Sequence, residues 1–417
     1  MVYSTQRVPK EQPMPKIIVD KEKIESFLTR GVENIFPNGD VLRKKLESGD
    51  RLRVYQGFDP TGPYLHIGHG MGIRALRLLQ EMGHEVIFLV GDYTAKVGDP
   101  DKESARKILS DEEIEKNMTG WKQQASLLID FEGDNPVLFK RNFEWLSNLT
   151  LEDLIKLMSH ATVQQMAERD NFQKRMASKD PIQLQEFIYP LLQGYDSVAM
   201  QVDLQIGGTD QTFNLLTARH VVKEYLNKEL YVRTNIMMDA PDCRTMSKTK
   251  GNGINLSDTP DTMYGKAMSY DDGHILIGLE LLTATPINEI AAIKTAIEQG
   301  ENPMAYKKLM AKRIVEIVYG KNAAEKAEKN FEDRVQNKEV AQESVLEVKV
   351  LHGVTLLEFL KTAVGAKYSS SDIKRTVEQG GVEIDSKKVT DLNHLVVGNS
   401  STVVKFGKRE FFRPISA

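Results

Sequence analysis

The stretch from Arg51 to Asp92 limits the fold more than any other part of this 417-residue chain. RLRVYQGFD alternates, with Leu52, Val54, Gln56 and Phe58 on one face and Arg53, Tyr55 and Gly57 on the other, the period of a strand. A Pro/Gly cluster, DPTGPYLHIGHG, interrupts it. MGIRALRLLQEMG follows with Ile73, Leu76 and Leu79 at helical spacing and Gly83 in the place of a helix C′ residue. VIFLVGD is then a short unbroken apolar run, the pattern of a strand covered on both faces. Strand, loop, helix and strand within about 40 residues predict a βαβ unit, and with it an α/β fold on a parallel sheet.

Around that unit the pattern changes several times. IESFLTRGVENIF puts Ile24, Phe27, Leu28, Val32 and Ile35 near helical register, with Asp20 as N-cap, so residues 1–50 read as a helical segment. Residues 51–260 read as the α/β body. Within it, 103–182 are mostly helical and charged, EFIYPLLQGYDSVAM is a helix, VDLQIGG a strand and TDQTFNLLTARHVVKEYL a helix. The segment 230–255, rich in Gly, Asp, Thr and Lys, reads as a loop. Residues 261–335 read as all-helical, 336–352 as a linker, and 353–417 as a small α+β domain. In that domain SSDIKRTVEQGG is helix-like and the tail LVVGNSSTVVKFGKREFFRPI is strand-rich.

Composition removes whole classes. Hydrophobic residues make up 41% and charged residues 27%, as in an ordinary soluble protein, and no run reaches the ~20 apolar residues of a membrane span. The start MVYSTQRVPKEQPMPK has basic residues without an apolar stretch, so no secretory signal is expected. The single cysteine, Cys243, excludes a disulfide scaffold and a Cys-rich zinc site, and points to a reduced thiol in the cytoplasm. The net charge is −4, with ten Lys/Arg and seven Asp/Glu in 355–417. The terminal module therefore carries +3 and the remainder −7, a split that suits local contact with RNA rather than coating of nucleic acid.

Two motifs carry chemistry. Leu65-His66-Ile67-Gly68-His69-Gly70 sits between a strand and a helix N-terminus, where free N–H groups face a ligand beyond the carboxyl end of the sheet. Two imidazoles there can donate to phosphate oxygens as charge develops. Taken alone, the same residues also fit a turn plus a helix start, and a zinc reading lacks a third ligand nearby. Arg244-Thr245-Met246-Ser247-Lys248-Thr249-Lys250-Gly251 reads as a flexible basic loop whose lysine can swing onto a triphosphate, or as a solvated loop.

At this order and spacing the pair resembles the two signature motifs of class I aminoacyl-tRNA synthetases. H-I-G-H matches the first fully. The second is usually K-M-S-K-S and here reads T-M-S-K-T, with Lys248 as its second lysine and Thr245 in place of the first. Tyr55-Gln56-Gly57-Phe58-Asp59-Pro60-Thr61, Gly98-Asp99-Pro100, Tyr189-Pro190-Leu191-Leu192-Gln193-Gly194-Tyr195-Asp196 and Gln205-Ile206-Gly207-Gly208-Thr209-Asp210-Gln211 are similar to the bacterial-type tyrosyl-tRNA synthetases. The resemblance covers about residues 30–417.

That resemblance implies a Rossmann-like parallel-sheet catalytic domain, an all-helical domain and a small S4-like RNA-binding domain. It implies L-tyrosine, ATP with Mg²⁺ and tRNA(Tyr) as partners, a homodimer, and no resident metal. It places Tyr55 and Asp196 on the substrate phenol, and Asp99, Tyr189 and Gln193 on its ammonium, with Gln211 near its carboxylate. It places Gly208 and Asp210 at the ribose, Met237 and Met238 at the adenine, and Asp59 and Gly68 along the ATP. Thr61, His66, His69 and Lys248 fall at the phosphate groups, with Lys102 and Arg106 as further loop cations. In the tail, SSSDIKRTVEQGGVEIDSKKVTD matches the S4-type pattern and implies RNA contacts from Ser371, Lys374, Arg375 and Lys388. Two rivals stay open at this point. One is a tryptophan-activating or other HxGH nucleotidyltransferase. The other is an RNA-binding protein that kept the fold and lost catalysis.

Overall fold

The structure is a computed structural model that describes residues 15–99, 109–241, 246, 252–337, 345–350, 353–365, 368–385, 387–397, 402–407 and 410–416. It divides into two units, 1–328 and 329–417.

The first unit is built on a six-stranded sheet: β1 (Val32–Phe36), β2 (Arg53–Phe58), β3 (Glu85–Val90), β4 (Leu138–Arg141), β5 (Leu204–Gly208) and β6 (Tyr231–Asn235). Their order is β1-β6-β5-β2-β3-β4. All neighbours are parallel except β1, which is antiparallel to β6. The chain moves from β2 towards β4 on one side and from β5 towards β1 on the other. The order therefore reverses between β2 and β5, and their carboxyl ends frame the crevice where such sheets bind ligands.

The strand pattern of 51–58 has a direct physical outcome. Gln56 and Phe58 lie on one face of β2, where Phe58 stacks on Phe88 with ring centres 4.6 Å apart and Phe88 stacks on Phe139 at 5.6 Å. Tyr55 faces the other way, into a core of Ile87, Leu89, Leu215, Ala218, Val222 and Val232. The apolar run of β3 is buried along almost its whole length, as a strand covered by helices on both faces must be. The helix Ile67–Glu81 is the βαβ crossover. Helices Leu184–Ala199 and Thr212–Leu226 pack against each other, and Gly194 sets how closely they approach.

Four expectations need correction. The helix at the start, capped by Asp20, stops at Thr29; Gly31 turns the chain at φ +61°, and Val32–Phe36 is β1 rather than more helix. Ile35 fits a helical period by coincidence, because a five-residue strand cannot be told from one helical turn by spacing. Residues 138–141, inside the stretch read as helical, form β4, whose four residues LFKR carry too few apolar side chains to show a period. Tyr231–Asn235, read as loop, is β6: its backbone pairs on both sides although only one of its residues is aliphatic. The segment 336–352 is no simple linker. The helix Lys321–Asn337 runs into it, and Val345–Val350 is a strand, β7.

From Pro260 to residue 328 the first unit continues in helices only, and the helix Lys321–Asn337 crosses into the second unit. The second unit has a five-stranded sheet formed by β7, β9 (Val382–Ile384), β10 (Lys387–Lys388), β12 (Val404–Phe406) and β13 (Glu410–Ser416), in the order β10-β9-β12-β13-β7. A separate ladder joins β8 (Val354–Thr355) to β11 (Leu395–Val396). Helices Leu356–Val364 and Ser370–Glu378 supply Leu356, Phe359, Leu360, Ile373 and Val377 to its core. This is an α+β module with its own apolar centre. Among the described residues no helix is long and apolar enough to cross a membrane.

The Gly194 contact is testable. A Cβ there would lie 3.0 Å from Val221 and 3.3 Å from the Ala218 backbone. Gly194→Val is expected to lower stability by about 1–3 kcal/mol, as overpacking of a filled interface does. Urea unfolding of the variant against the parent measures it, and an unchanged midpoint would refute the close approach.

Candidate active site

The site grows from the carboxyl ends of the central strands. β2 ends at Phe58 and delivers Asp59, whose Oδ1 accepts from Thr94 Oγ1 at 2.8 Å and whose Oδ2 accepts from the Tyr189 hydroxyl at 2.9 Å. Gly91 makes this possible, since a Cβ there would fall 2.1 Å from Asp59 Oδ1. Two residues on, half-buried Thr61 bonds through its backbone N–H to the Asp59 carbonyl at 2.8 Å. The chain then enters the helix Ile67–Glu81 with His66 at its N-cap. The His66 backbone N–H donates to His69 Nδ1 at 3.0 Å, and the two imidazoles lie 3.6 Å apart, centre to centre. This fixes the His69 tautomer with Nε2 carrying the proton whenever the ring is neutral.

The second motif is tied to the first by backbone. Ile67 N–H donates to Ile254 O and Leu256 N–H to Leu65 O, both at 2.8 Å, and His66 bridges Asn255. Met246 is the one described residue of the basic loop. It is buried, and a Cβ on Gly68 or Gly253 would lie 3.4 or 3.6 Å from its side chain. Lys248, Thr245, Arg244, Lys250 and Cys243, like Lys102 and Arg106, lie outside the described residues.

Asp196 is buried on the helix Leu184–Ala199. Trp145 Nε1 donates to its Oδ1 at 2.7 Å and Asn142 Nδ2 to its Oδ2 at 3.2 Å. Burial dominates over these donors, and the nearby charges of Asp59 and Asp92 add to it, so the carboxyl is pushed up to about 8. Tyr55 does not bond to Asp196. Its hydroxyl pairs with Ser197 Oγ at 2.8 Å and reaches the Gln193 carbonyl at 3.5 Å, and burial followed by the Asp196 charge raises its pKa. Gln193 Oε1 is buried without a partner among the described residues, an acceptor left open within the site.

Asp99, expected at the substrate ammonium, is itself partnered by neighbouring side chains. Arg169 Nη2 donates to its Oδ1 at 2.9 Å in a buried ion pair, and Gln211 Nε2 donates to its Oδ2 at 2.7 Å. Gln211 is thus bound to Asp99, while its Oε1 accepts from Asn214 at 2.8 Å. Beyond β5, Gly208 leaves room for its neighbours: a Cβ would fall 2.3 Å from Asp210 Oδ1 and 2.6 Å from Met237 Sδ. Burial in that recess, then the Asp99 charge, raise the Asp210 pKa. Met237 is exposed there, whereas Met238 is buried and reaches towards Gly278 in the helix Ile275–Leu282.

Sequence reasoning missed Asn142, Trp145, Thr94, Ser197, Arg169 and Asn214. A signal for the first two existed. They directly follow β4, so recognising LFKR as a strand would have put them at the carboxyl edge. In the second unit, Ser371, Lys374 and Arg375 lie exposed on the helix Ser370–Glu378, with Arg375 bonded to Asp372 at 2.7 Å. The turn at Gly380, φ +69°, brings this helix end next to Lys388, whose Cδ would lie 3.8 Å from a Cβ at 380.

A switch-point crevice and a histidine pair at a helix start, with Met246 of the second motif buried beside them, fit a class of enzyme that activates a carboxylate with a nucleotide. The comparisons agree. Residues 47–336 match the family model described as tRNA synthetases class I (W and Y), and the chain belongs to that family. It is 39% identical over 407 residues to the tyrosine–tRNA ligase of Carboxydothermus hydrogenoformans, covering 95% of this chain and 98% of that protein. It is also 39% identical over 395 residues to the tyrosine–tRNA ligase of Haemophilus ducreyi, covering 94% and 98%. Among solved structures, a truncated Aspergillus nidulans mitochondrial tyrosyl-tRNA synthetase shares the fold with TM-score 0.63 at 21% identity, over 75% of this chain and 94% of that one. The Archaeoglobus fulgidus tyrosyl-tRNA synthetase complexed with L-tyrosine gives 0.58 at 22%, over 74% and 99%.

The raised Asp196 pKa has a definite sign in stability. An unfolded carboxyl titrates near 4, so between about pH 4 and 8 the empty folded chain holds a proton that the unfolded chain has lost. Stability falls as pH rises through that window, at up to about 1.4 kcal/mol per pH unit from this group. Asp196→Asn is expected to remove the slope. Urea unfolding at pH 5 and 8 checks it: an equal loss of stability in parent and variant would exclude Asp196 as the source.

Proposed function

We infer that the chain is a tyrosine–tRNA ligase that activates L-tyrosine with ATP and then transfers it to the 3′ end of tRNA(Tyr). One observation carries the choice of amino acid: a buried carboxyl, Asp196, set by Trp145 and Asn142 on the same helix as Tyr189 and Gln193. A carboxylate there accepts the phenol O–H, and Tyr55, beside Ser197, shares it. Phenylalanine would leave those buried groups unpaired, and tyrosine against phenylalanine is the reference example of this effect. Tryptophan activation has no use for such a pair. The names of the relatives agree with tyrosine.

In the first step the tyrosine carboxylate oxygen attacks the ATP α-phosphorus in line. The bond from that phosphorus to the bridging oxygen breaks, and pyrophosphate leaves. No protein nucleophile takes part. Binding and charge stabilisation do the work. Asp99, Tyr189 and Gln193 hold the substrate ammonium. Gln211, fixed on Asp99, lies towards the carboxylate end. Gly208 and Asp210 take the ribose, Met237 flanks the adenine with Met238 behind it, and Asp59 and Gly68 line the nucleotide path. Thr61, His66, His69 and Lys248 meet the phosphate groups. Mg²⁺ enters with ATP, carried on its triphosphate oxygens. In the second step a terminal ribose hydroxyl of the tRNA attacks the tyrosyl carbonyl and AMP leaves. Ser371, Lys374, Arg375 and Lys388 contact the RNA, and the enzyme works in the cytoplasm.

A homodimer fits the surface. The helix Leu151–Met158 exposes Leu151 (73%) and Ile155 (60%) one turn apart, with Met158 one turn further, and Val163 and Leu184 are also exposed. An amphipathic helix with its apolar stripe in solvent marks an interface.

Pyrophosphate exchange tests the reaction. Exchange should require tyrosine and fail with tryptophan or phenylalanine. Asp196→Ala should cost selectivity for tyrosine over phenylalanine at least tenfold more than it costs ATP affinity. His66→Ala should slow adenylate formation at least tenfold with tyrosine binding nearly intact. Absence of tyrosine-dependent exchange would sink the reading. For assembly, light scattering should give twice the chain mass for the parent and the single chain mass for Leu151→Asp/Ile155→Asp. An unchanged mass in the double variant would place the interface elsewhere.

A further inference from the structure

A cavity of about 260 Å³ in the first unit is lined by none of the active-site residues. It lies among the end of the helix Lys21–Thr29, the middle of the helix Ile67–Glu81 and the carboxyl end of the helix Ile275–Leu282. Arg30, Arg74, Arg233 and Glu280 are its charged lining, together with Arg77. Arg77 is ion-paired to Glu81 and Asp130. The other three arginines are not ion-paired to any carboxylate among the described residues. Arg30 donates to the backbone carbonyls of Glu280, Thr285, Leu279 and Thr283 at 2.7–3.1 Å. Arg74 donates to those of Leu281 at 3.2 Å and Thr283 at 2.8 Å. Arg233 donates to the carbonyls of Phe27 and Arg30 and to the Asn235 amide oxygen.

Every one of these acceptors is neutral. The carbonyl end of the helix Ile275–Leu282 offsets about half a charge. Glu280, which accepts from the Gly31 N–H at 3.3 Å, offsets one more. Three guanidiniums therefore leave a positive surplus in a partly buried pocket, which is costly unless a counter-charge enters. Burial accordingly lowers Arg233 to about 9 and, with the Arg30 charge, Arg74 to about 10. Arg74 is the group with capacity to spare. Its Nε–H and one N–H on each terminal nitrogen have no partner among the described residues, yet it keeps accessible surface on the cavity. A planar guanidinium with free N–H groups is the fork that fits a tetrahedral oxyanion. The volume is below the ~300–1,000 Å³ of pockets for drug-sized molecules, which matches a small ion.

We propose that this cavity binds a phosphate-class oxyanion, held by Arg74 and flanked by Arg30 and Arg233. The anion is either free orthophosphate or pyrophosphate, the released product of adenylation. It would bear on catalysis through the helix Ile67–Glu81, which carries His66 and His69 at one end and Arg74 two turns on.

The test is calorimetric titration of the full chain at constant ionic strength, with the catalytic pocket filled by the non-reacting tyrosinyl adenylate. Orthophosphate and pyrophosphate are titrated separately, with chloride as the reference ion. One phosphate or pyrophosphate per chain, weakened at least tenfold in Arg74→Gln, supports the site, and the tighter of the two names its source. No binding above chloride overturns it, as does binding that persists in Arg74→Gln, which belongs to the catalytic phosphate groups. A second measurement needs no variant: parent crystals soaked in tungstate should show an anomalous peak beside Arg74, and none there refutes the proposal.

Discussion

Two backbone hydrogen bonds, Ile67 to Ile254 and Leu256 to Leu65, hold the site together. They join segments almost 190 residues apart in sequence and lay the residues just after the basic loop beside the histidine pair. Without that stitch, the switch point between β2 and β5 would offer a crevice and a helix N-terminus but no fixed second wall. With it, Met246, the described residue of the second motif, is buried near Gly68 and Gly253. A bridge made by main chain tolerates side-chain variation, which is why a short, irregular pairing suffices where a long ladder would restrict motion.

The second constraint is electrostatic. Asp59, Asp92, Asp99 and Asp196 converge around one crevice, and each is satisfied differently. Asp59 takes two hydroxyls, from Thr94 and Tyr189. Asp92 takes Arg141 and the Phe143 N–H. Asp99 takes Arg169 and Gln211, and Asp196 takes only the neutral donors Trp145 and Asn142. Asp92 and Asp99 each face a guanidinium, of Arg141 and Arg169. Asp196 has no cation among the described residues to offset its burial, and burial raises its pKa. A carboxyl held in that state gains a reason to ionise when a phenol O–H is offered to it, so the same burial that destabilises the empty chain sharpens its response to the right ligand.

Much of this was legible in the sequence because the site uses residues that a core would not choose. Gln193 and Asp196 in an otherwise apolar helix, and two histidines after a Pro/Gly loop, stand out against hydrophobic periodicity. The parallel sheet was legible through β3, whose apolar run has one reading. What stayed hidden were strands whose stability comes from neighbours rather than from their own side chains. LFKR and YVRTN pair because adjacent strands demand it; Arg141 is held by Asp92 and Glu115, and Arg233 bonds to backbone carbonyls. Losing β4 meant losing Asn142 and Trp145. The role of Arg169 was hidden for another reason: nothing in sequence tells a buried partner of Asp99 from a surface arginine.

The departure at Thr245 from the usual lysine is the one break in the motif, and the packing shows which part of the motif it leaves intact. The contact that places the loop belongs to Met246, an apolar side chain against two glycines, and a change of charge at the preceding position does not remove it. Placement and charge are therefore separable tasks. The first is met by packing and by the bridge at Ile254 and Leu256. The second is the task we propose for Lys248, with Arg244 and Lys250 close in sequence. Because a cation acts by its charge near the transferring phosphate, neighbouring positions can supply it, whereas the packing of Met246 is specific to one apolar side chain.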